Sequence, residues 1–286
     1  MTIAAGFVYR NGILLCSDTQ QEGGVIKLHR PKIGLFECPG GKFGFALAGN
    51  VQFAISAIQK CASVLMATDA ANTIATLEAL LEHEYRRHVY DHPDYHTNEN
   101  LGYSFLISFW SRSSNTTSLW FTDEHALDSS FESFHAVGSG FELATILARP
   151  FIYDTLDQEQ ALVLAAYVLA RVKDNVPGCG GDSQFVVLRN DGTCEMVLGL
   201  KLDQIADIAA TFDKSAHALL FAMTQDNPEE FARALDAFCG VTKLTRDFWL
   251  RVRKSTPVGQ PYPLLTTADQ LPQQPSPESP GGSGES

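Results

Sequence analysis

The chain lacks the features that mark membrane, secreted and metal-binding proteins. No apolar run reaches the roughly 18 residues that a membrane-spanning helix needs. No basic segment followed by an apolar core lies near the N-terminus, so we expect no signal peptide. The six cysteines are scattered without a Cys-x-x-Cys pair, so the sequence predicts neither a metal site nor a disulfide framework. We therefore expect a cytoplasmic protein with no membrane partner.

Positive charge is also scarce. The 286 residues include 21 Lys and Arg against 33 Asp and Glu, and the net charge of −12 argues against binding to nucleic acid. Pro39-Gly40-Gly41-Lys42 lacks the following Ser or Thr of a phosphate-binding loop, and we predict no cofactor. A hydrophobic fraction of 45% is typical of a soluble globular protein with a substantial core.

The first fifty residues have the pattern of β-strands joined by tight turns. An apolar stretch opens at Thr2, and Asn11-Gly12 is a typical two-residue hairpin turn. A second apolar stretch, Ile13 to Ser17, ends at Asp18. The same pattern continues with a lysine, a Pro-Gly-Gly turn and a terminal Ala-Gly: Lys32, Pro39-Gly40-Gly41 and Ala48-Gly49.

The hydrophobic period changes after Gly49. Apolar residues recur at helical spacing in four stretches, about 51–66, 72–90, 141–148 and 158–173. Strand patterns occur at 103–110 and 117–121, in a short segment before Gly138, and in a hairpin made by 183–188 and 194–198. This order predicts an α+β fold in which two antiparallel sheets lie between helical layers.

We divide the chain into three parts. Residues 1–200 form the main domain, and 201–254 have the pattern of a helical extension that packs on it. Residues 255–286 are rich in Pro, Gly, Ser and Gln, and such a segment buries too little apolar surface to offset its ordering entropy. The sequence therefore predicts a disordered tail.

Several short motifs occur in the order found in a known family: Thr2 with its hairpin, Ser17-Asp18-Thr19, Lys32-Ile33, Ala48-Gly49 and Gly138-Ser139-Gly140, followed by Cys179-Gly180-Gly181. In this order they resemble the catalytic β-type subunits of the proteasome and their bacterial relatives, which are N-terminal-nucleophile hydrolases. The resemblance covers roughly residues 2–200. It implies a four-layer αββα sandwich and a threonine-type peptidase.

The resemblance implies that Thr2 is the nucleophile. Removal of Met1 would leave one residue with both a hydroxyl and a free α-amine, and that amine can serve as the general base. The alternative is an ordinary threonine at a strand edge in a chain that retains Met1.

Lys32 and Asp18 are the expected electrostatic partners of Thr2. A buried ammonium close to Thr2 would lower the pKa of the hydroxyl and of the α-amine. Asp18 would keep Lys32 charged and orient it, since a buried charge needs a partner. The alternatives are a solvated strand lysine and an aspartate that caps the following turn. The family spacing between the two residues is slightly longer, so Lys27 is an alternative to Lys32.

Gly49 and Ser139 match two further positions of the family. Gly49 would supply the backbone N–H of the oxyanion hole, where the absence of a Cβ permits close approach. Ser139 would hydrogen-bond the amine of the nucleophile and a catalytic water. The alternatives are a plain turn glycine and an N-cap for the helix that begins at Phe141.

The resemblance implies that Asp174 belongs to the proton network of the site, and this residue is the least regular match. The family has Asp, two residues and Ser-Gly-Gly, whereas here four residues separate Asp174 from Cys179-Gly180-Gly181. Cysteine is also a weaker hydrogen-bonding partner than serine. The alternative for Asp174 is a solvated residue at a helix end.

Two residues match substrate-binding positions. Leu47 corresponds to the base of the pocket for the residue that precedes the cut, which would favour apolar side chains. Arg30 lies nearby in the alignment and would instead favour an acidic one.

The expected function is hydrolysis of polypeptide substrates by a threonine peptidase inside a self-associated ring. An ATPase partner cannot be assigned from the sequence. One alternative is a catalytically silent ring subunit, which the change to Cys179 would support. Another is an amidase of the same fold that acts on a small molecule, since a fold does not determine a substrate.

Overall fold

The computed structural model describes residues 2–254 except 24–25, 99, 125, 130–132, 153–155, 198 and 225. The strands in these residues are β1 Ala4–Tyr9, β2 Gly12–Asp18, β3 Gln20–Gly23, β4 Ile26–His29, β5 Ile33–Cys38, β6 Gly41–Gly49, β7 Tyr103–Ser111, β8 Thr116–Asp123, β9 Ala126–Ser129, β10 Phe134–Val137, β11 Ser183–Arg189 and β12 Cys194–Val197. The helices are α1 Val51–Leu65, α2 Thr73–Tyr85, α3 Phe141–Ala148, α4 Gln158–Asn175, α5 Gly199–Ala222 and α6 Pro228–Lys254. A π-helical turn, Arg86–Tyr90, continues α2, and two 3₁₀ turns lie at Ala70–Asn72 and Arg149–Phe151.

The strands form two five-stranded antiparallel sheets. The first has the order β10-β1-β2-β11-β12, and the second has the order β5-β6-β7-β8-β9. In the first sheet, β1 and β2 pair from Ala4 opposite Ser17 to Tyr9 opposite Gly12. The two residues between the strands are Arg10 and Asn11, one position before the predicted Asn11-Gly12 turn, because Gly12 already pairs with Tyr9. This two-residue connection sets the register that brings the start of β1 next to the end of β2.

Residues along each strand alternate between two cores. On β1 and β2, Phe7 and Leu14 face a core shared with α3 and α4, whereas Ile13 and Leu15 face the second sheet. The second sheet packs its other face on α1 and α2 through Phe105 and neighbouring residues. Since side chains of a strand point alternately to its two faces, this pattern is that of two stacked sheets. The order of layers is helix, sheet, sheet, helix, and the predicted α+β sandwich is confirmed.

The structure adds two elements that the sequence pattern did not predict. The segment between Asp18 and Lys32 contains a small hairpin, β3 paired with β4. A four-residue strand, β9, also precedes β10. Both are short, and β3 is polar, so neither has the apolar alternation by which a strand is recognised.

Two long helices follow the second hairpin of the first sheet. α5 contacts α4, where Arg171 and Asp213 form an ion pair of 2.5 Å, and α6 packs along α5 with Phe238 against Phe212. The boundary between a main domain and a helical extension stays a prediction. The proposed tail, 255–286, lies outside the described residues. Among the described helices, none has the length and apolar character to cross a membrane.

Candidate active site

Three of the predicted site residues meet at one edge of the sandwich. Thr2 precedes β1, Asp18 ends β2, and the antiparallel pairing of these strands brings the two together. Lys32 precedes β5 of the second sheet, which faces the first. The relative exposures of Thr2, Asp18 and Lys32 are 1%, 0% and 1%. Their polar groups therefore need hydrogen-bond partners inside the protein.

The side chains of these three residues form a closed cluster. The Thr2 hydroxyl donates to Asp18 Oδ1 at 2.9 Å, and Lys32 Nζ lies 2.8 Å from the same oxygen. Lys32 Nζ also donates to Thr2 Oγ1 and to the backbone carbonyl of Gln20. An ammonium has three N–H groups, and all three are used here. The arrangement therefore suits a charged lysine that is aimed at the threonine hydroxyl.

Backbone groups hold the Asp18 carboxylate in place. Its Oδ1 accepts from the N–H of Ile3 at 3.2 Å, and its Oδ2 accepts from the N–H of Gly180 at 2.9 Å. A carboxylate with donors on both oxygens is fixed in orientation. Asp18 thus uses its side chain for the Thr2–Lys32 cluster rather than for a cap of the Thr19-Gln20 turn.

Burial and charge act in opposite directions on Lys32. Removal from water lowers the pKa of its ammonium, and the adjacent Asp18 carboxylate raises it; burial is the larger effect, so the pKa lies below its ordinary value of 10.5. A lysine of lowered pKa near an uncharged hydroxyl is a common feature of functional sites.

Ser139 lies against the backbone of Thr2. Its hydroxyl accepts from Thr2 N at 3.2 Å and donates to the Thr2 carbonyl at 3.2 Å. It makes no capping bond to α3, whose N-cap is Gly140. Cys179 Sγ lies 3.7 Å from Ser139 Oγ, and burial raises the pKa of this thiol, so it is a neutral partner. Cysteine therefore stands beside Ser139, where the family pattern has serine.

Gly49 lies at the end of β6 with a φ of +87°. A Cβ at this position would overlap the carbonyl oxygen of Gly102, so the backbone requires glycine. A Cβ built on Gly138 would overlap the Thr2 carbonyl and lie 3.0 Å from Ala48. Ala48 therefore lies near Gly138 and the Thr2 carbonyl, and Gly49 is the next residue along β6.

The structure does not bring Asp174 into this cluster. Its carboxylate is exposed at the C-terminal end of α4 and lies 3.5 Å from Arg171. The preceding residue, Lys173, points inward and donates to the Gly181 carbonyl at 3.0 Å and to Ser183 Oγ at 2.8 Å. Consecutive residues of a helix face directions about 100° apart, which explains why only one of them reaches the 179–183 loop.

The two predicted substrate-binding residues lie in different surroundings. Leu47 is 1% exposed and packs in the core between the second sheet and α1–α2, so it is a core residue in this structure. Arg30 is partly exposed beside a cavity of about 360 Å³ that His29, Asp182 and Gln184 also line. Gln184 in turn accepts the backbone N–H of Lys32 at 2.9 Å.

Sequence patterns missed the contributions that depend on the backbone. The Gln20 carbonyl and the Gly180 N–H complete the Lys32 and Asp18 bonds, and any residue type can supply such groups. Lys173 acts through its side chain and could have been found from the sequence, because it directly precedes Asp174 in the matched motif. Among the described residues, no group of three or more His, Cys, Asp or Glu is arranged to hold a metal ion.

The layers and strand order described above are those of an α+β proteasome-like fold. No protein-family model matches the chain, and no curated protein matches it either. Among solved structures it is similar to Anbu proteins, one of which is described as an ancestral β-subunit.

Three of these structures show the extent of the likeness. The Gly-1 mutant of Anbu from Hyphomicrobium sp. strain MC1 has a TM-score of 0.63 at 12% identity and covers 77% of this chain and 99% of its own. Anbu from Yersinia bercovieri has a TM-score of 0.59 at 12% identity and covers 90% of this chain and 99% of its own. The helical assembly of the Anbu complex from Pseudomonas aeruginosa has a TM-score of 0.66 at 14% identity and covers 79% of this chain and 99% of its own. At such identities the likeness shows a shared fold.

Proposed function

We propose that this protein is a threonine-type peptidase whose nucleophile is Thr2 Oγ1 and whose substrates are polypeptides. The observation that carries the proposal is the buried contact of Lys32 Nζ with both Thr2 Oγ1 and Asp18 Oδ1. An ammonium at this position stabilises the negative charge that develops on the hydroxyl oxygen during attack. A purely structural cluster would not need the lysine aimed at the threonine.

The reaction requires a free α-amine on Thr2, which removal of Met1 provides. The neutral amine takes the proton of Oγ1, and the oxygen attacks the carbonyl carbon of the scissile peptide bond. The Gly49 N–H stabilises the resulting oxyanion. The protonated amine then gives its proton to the departing nitrogen, which leaves an ester on Thr2. Water, activated by the same amine, hydrolyses this ester and regenerates the hydroxyl.

Ser139 keeps the amine ready for this task. In the structure the Ser139 hydroxyl accepts the backbone N–H of Thr2. After removal of Met1 the same contact would orient the free amine and leave its lone pair available. Ser139 donates its own hydroxyl proton to the Thr2 carbonyl, so this proton points away from the Thr2 nitrogen. The amine lone pair is thereby left for Oγ1 of the same residue.

We also propose that the chain associates with copies of itself. A helical assembly is described for Anbu from Pseudomonas aeruginosa, which shares the fold. The outer surface formed by α3 and the following 3₁₀ turn exposes apolar side chains, with Ile146 at 69% and Phe151 at 51%. Exposed apolar groups of this size are common at interfaces between subunits. An ATPase partner stays unassigned.

A catalytically silent subunit is the second candidate. The exposed position of Asp174 and the presence of Cys179 favour it, because both depart from the expected proton network. The Thr2–Asp18–Lys32 cluster opposes it, because burial of an ion pair is costly without a use for it. An amidase with a small-molecule substrate would use the same cluster and differs only in what it hydrolyses.

Hydrolysis of fluorogenic peptides by the purified assembly tests the proposal. We expect Thr2→Ala to abolish turnover and Thr2→Ser, which retains a hydroxyl, to keep part of it. Thr116→Ala, at an exposed residue of β8, is the control for the loss of a threonine elsewhere and should leave turnover unchanged. Equal turnover by the native protein and Thr2→Ala would exclude Thr2 as the nucleophile.

A further inference from the structure

A second cavity lies beside the Thr2 cluster, on the side away from Arg30. It has a volume of about 510 Å³, and six of its lining residues define what we call the edge pocket: Phe121, Asp123, Phe134, His135, Gly138 and Phe141. The Arg30 cavity borders β11 and β12, at one edge of the first sheet. The edge pocket borders β10, the strand at the opposite edge. Thr2, which leads into β1, lies between them.

The edge pocket is close enough to Thr2 to receive a side chain of a bound peptide. β10 pairs directly with β1, with Val137 opposite Ala4, and paired strands lie about 4.8 Å apart. Gly138, which lines the pocket, contacts the Thr2 backbone so closely that a Cβ there would overlap the Thr2 carbonyl. A peptide that crosses Thr2 would therefore place a neighbouring side chain over this cavity.

The walls of the edge pocket are mainly aromatic. Phe121 stacks on His135 with ring centroids 3.8 Å apart and an angle of 15° between the planes. Phe134 is buried, and Phe141 is 48% exposed at the surface. Flat aromatic faces attract the guanidinium of arginine and the ammonium of lysine through the negative potential above the ring.

The edge pocket carries one carboxylate. Asp123 ends β8 and is exposed, and the described residues that line the cavity include no lysine or arginine, with His135 as the one imidazole. A carboxylate next to aromatic walls gives a basic side chain both a charge partner and a surface for its aliphatic portion. An aromatic or aliphatic side chain would fit the walls but leave Asp123 without a role.

We propose that the edge pocket binds a lysine or arginine side chain of the substrate next to the scissile bond, with Asp123 as the specificity-determining residue. The inference rests on the proposed peptidase function for its role in turnover, whereas binding to the pocket can be measured without turnover. It adds a second recognition site to the cavity beside Arg30, on the opposite side of Thr2.

Direct binding tests the pocket independently of hydrolysis. In the Thr2→Ala protein, short peptides that carry arginine or norleucine at one position would be compared by calorimetry. We expect the arginine peptide to bind about tenfold more tightly and Asp123→Asn to remove most of that difference. Asp69→Asn, a matched change at an exposed carboxylate that precedes α2 and does not line the pocket, should leave it intact. Equal or tighter binding of the norleucine peptide, or no binding of the arginine peptide, would overturn the proposal.

Turnover of the same peptides separates the two proposals. If the native protein cleaves peptides and Asp123→Asn lowers kcat/KM only for basic ones, both hold. If cleavage is unaffected by Asp123→Asn, the peptidase stands and the edge pocket is excluded as a basic subsite. If arginine peptides bind in an Asp123-dependent manner but are not cleaved, the pocket stands and the peptidase function fails.

Discussion

Lys32 and Asp18 form an ion pair of 2.8 Å in which neither side chain is exposed to solvent. The pair crosses from one sheet to the other, because Asp18 ends β2 and Lys32 precedes β5. Loss of one partner would leave the other buried and uncompensated, whereas loss of both would remove the charge from the interior. The pair therefore contributes to both stability and the proposed chemistry, and substitutions can separate these contributions.

Lys32→Met should destabilise the fold and abolish hydrolysis. The Asp18 carboxylate would lose its counter-ion, which costs about 3–5 kcal/mol in the free energy of unfolding. Chemical denaturation measures this value. The double variant Asp18→Asn/Lys32→Met, with no charge left unpaired, should recover part of the stability but none of the activity. A single variant within about 1 kcal/mol of the native protein would contradict the account.

Activity should decline at alkaline pH because of Lys32. Burial holds the pKa of its ammonium below the ordinary 10.5, so the charge is present at low pH and is half lost at a pH below 10.5. If the charged form assists the attack, kcat/KM falls as the pH rises through this lowered pKa. A pH profile of peptide hydrolysis measures the decline. In Lys32→Arg, whose guanidinium stays charged, any residual activity should persist to higher pH.

Gly49→Ala should damage both the fold and the active site. Its φ of +87° and the nearby Gly102 carbonyl leave no room for a Cβ, and we expect a cost of about 2 kcal/mol or more in the free energy of unfolding. Gly102→Ala is the matched control, since a Cβ there would meet only Tyr85 at an ordinary 3.5 Å. Thermal unfolding of the two variants should differ clearly. Similar stabilities would mean that the strand end relaxes more easily than the structure indicates.

Lys173 and Asp174 provide a comparison between neighbouring residues. Lys173→Met removes two hydrogen bonds to the loop that carries Gly180, and we expect a loss of about 1–3 kcal/mol together with lower activity. Asp174→Asn changes an exposed carboxylate and should stay within about 0.5 kcal/mol of the native protein, with little change in kcat/KM. Strong inactivation by Asp174→Asn alone would restore the role that the family resemblance implies.

The larger features of the fold could be predicted from the sequence because they depend on periodicity. The Asn11-Gly12 signal predicts the first hairpin with its turn one residue late, and the apolar spacing of 141–148 predicts the observed bounds of α3. The hairpin made by β3 and β4 could not be predicted, because its strands are short and β3 is polar. The formation of such strands depends on contacts with the rest of the fold rather than on the local sequence.

The candidate site was predictable in part. Lys32 and Asp18 carry their chemistry in side chains that a motif can identify, and the structure brings both to Thr2. The Gln20 carbonyl and the Gly180 N–H are backbone groups with no sequence signal. Asp174 shows a further limit, since one position along a helix changes the direction of a side chain by about 100°.

Mass spectrometry of the native protein after treatment with a threonine-reactive epoxyketone tests the central claim most directly. The account predicts that Met1 is absent and that the adduct lies on the peptide that begins with Thr2. The Thr2→Ala protein should carry no adduct, and Thr116→Ala should carry the same one as the native protein. Retention of Met1, or an equal adduct in Thr2→Ala, would contradict the assignment of Thr2 as the nucleophile.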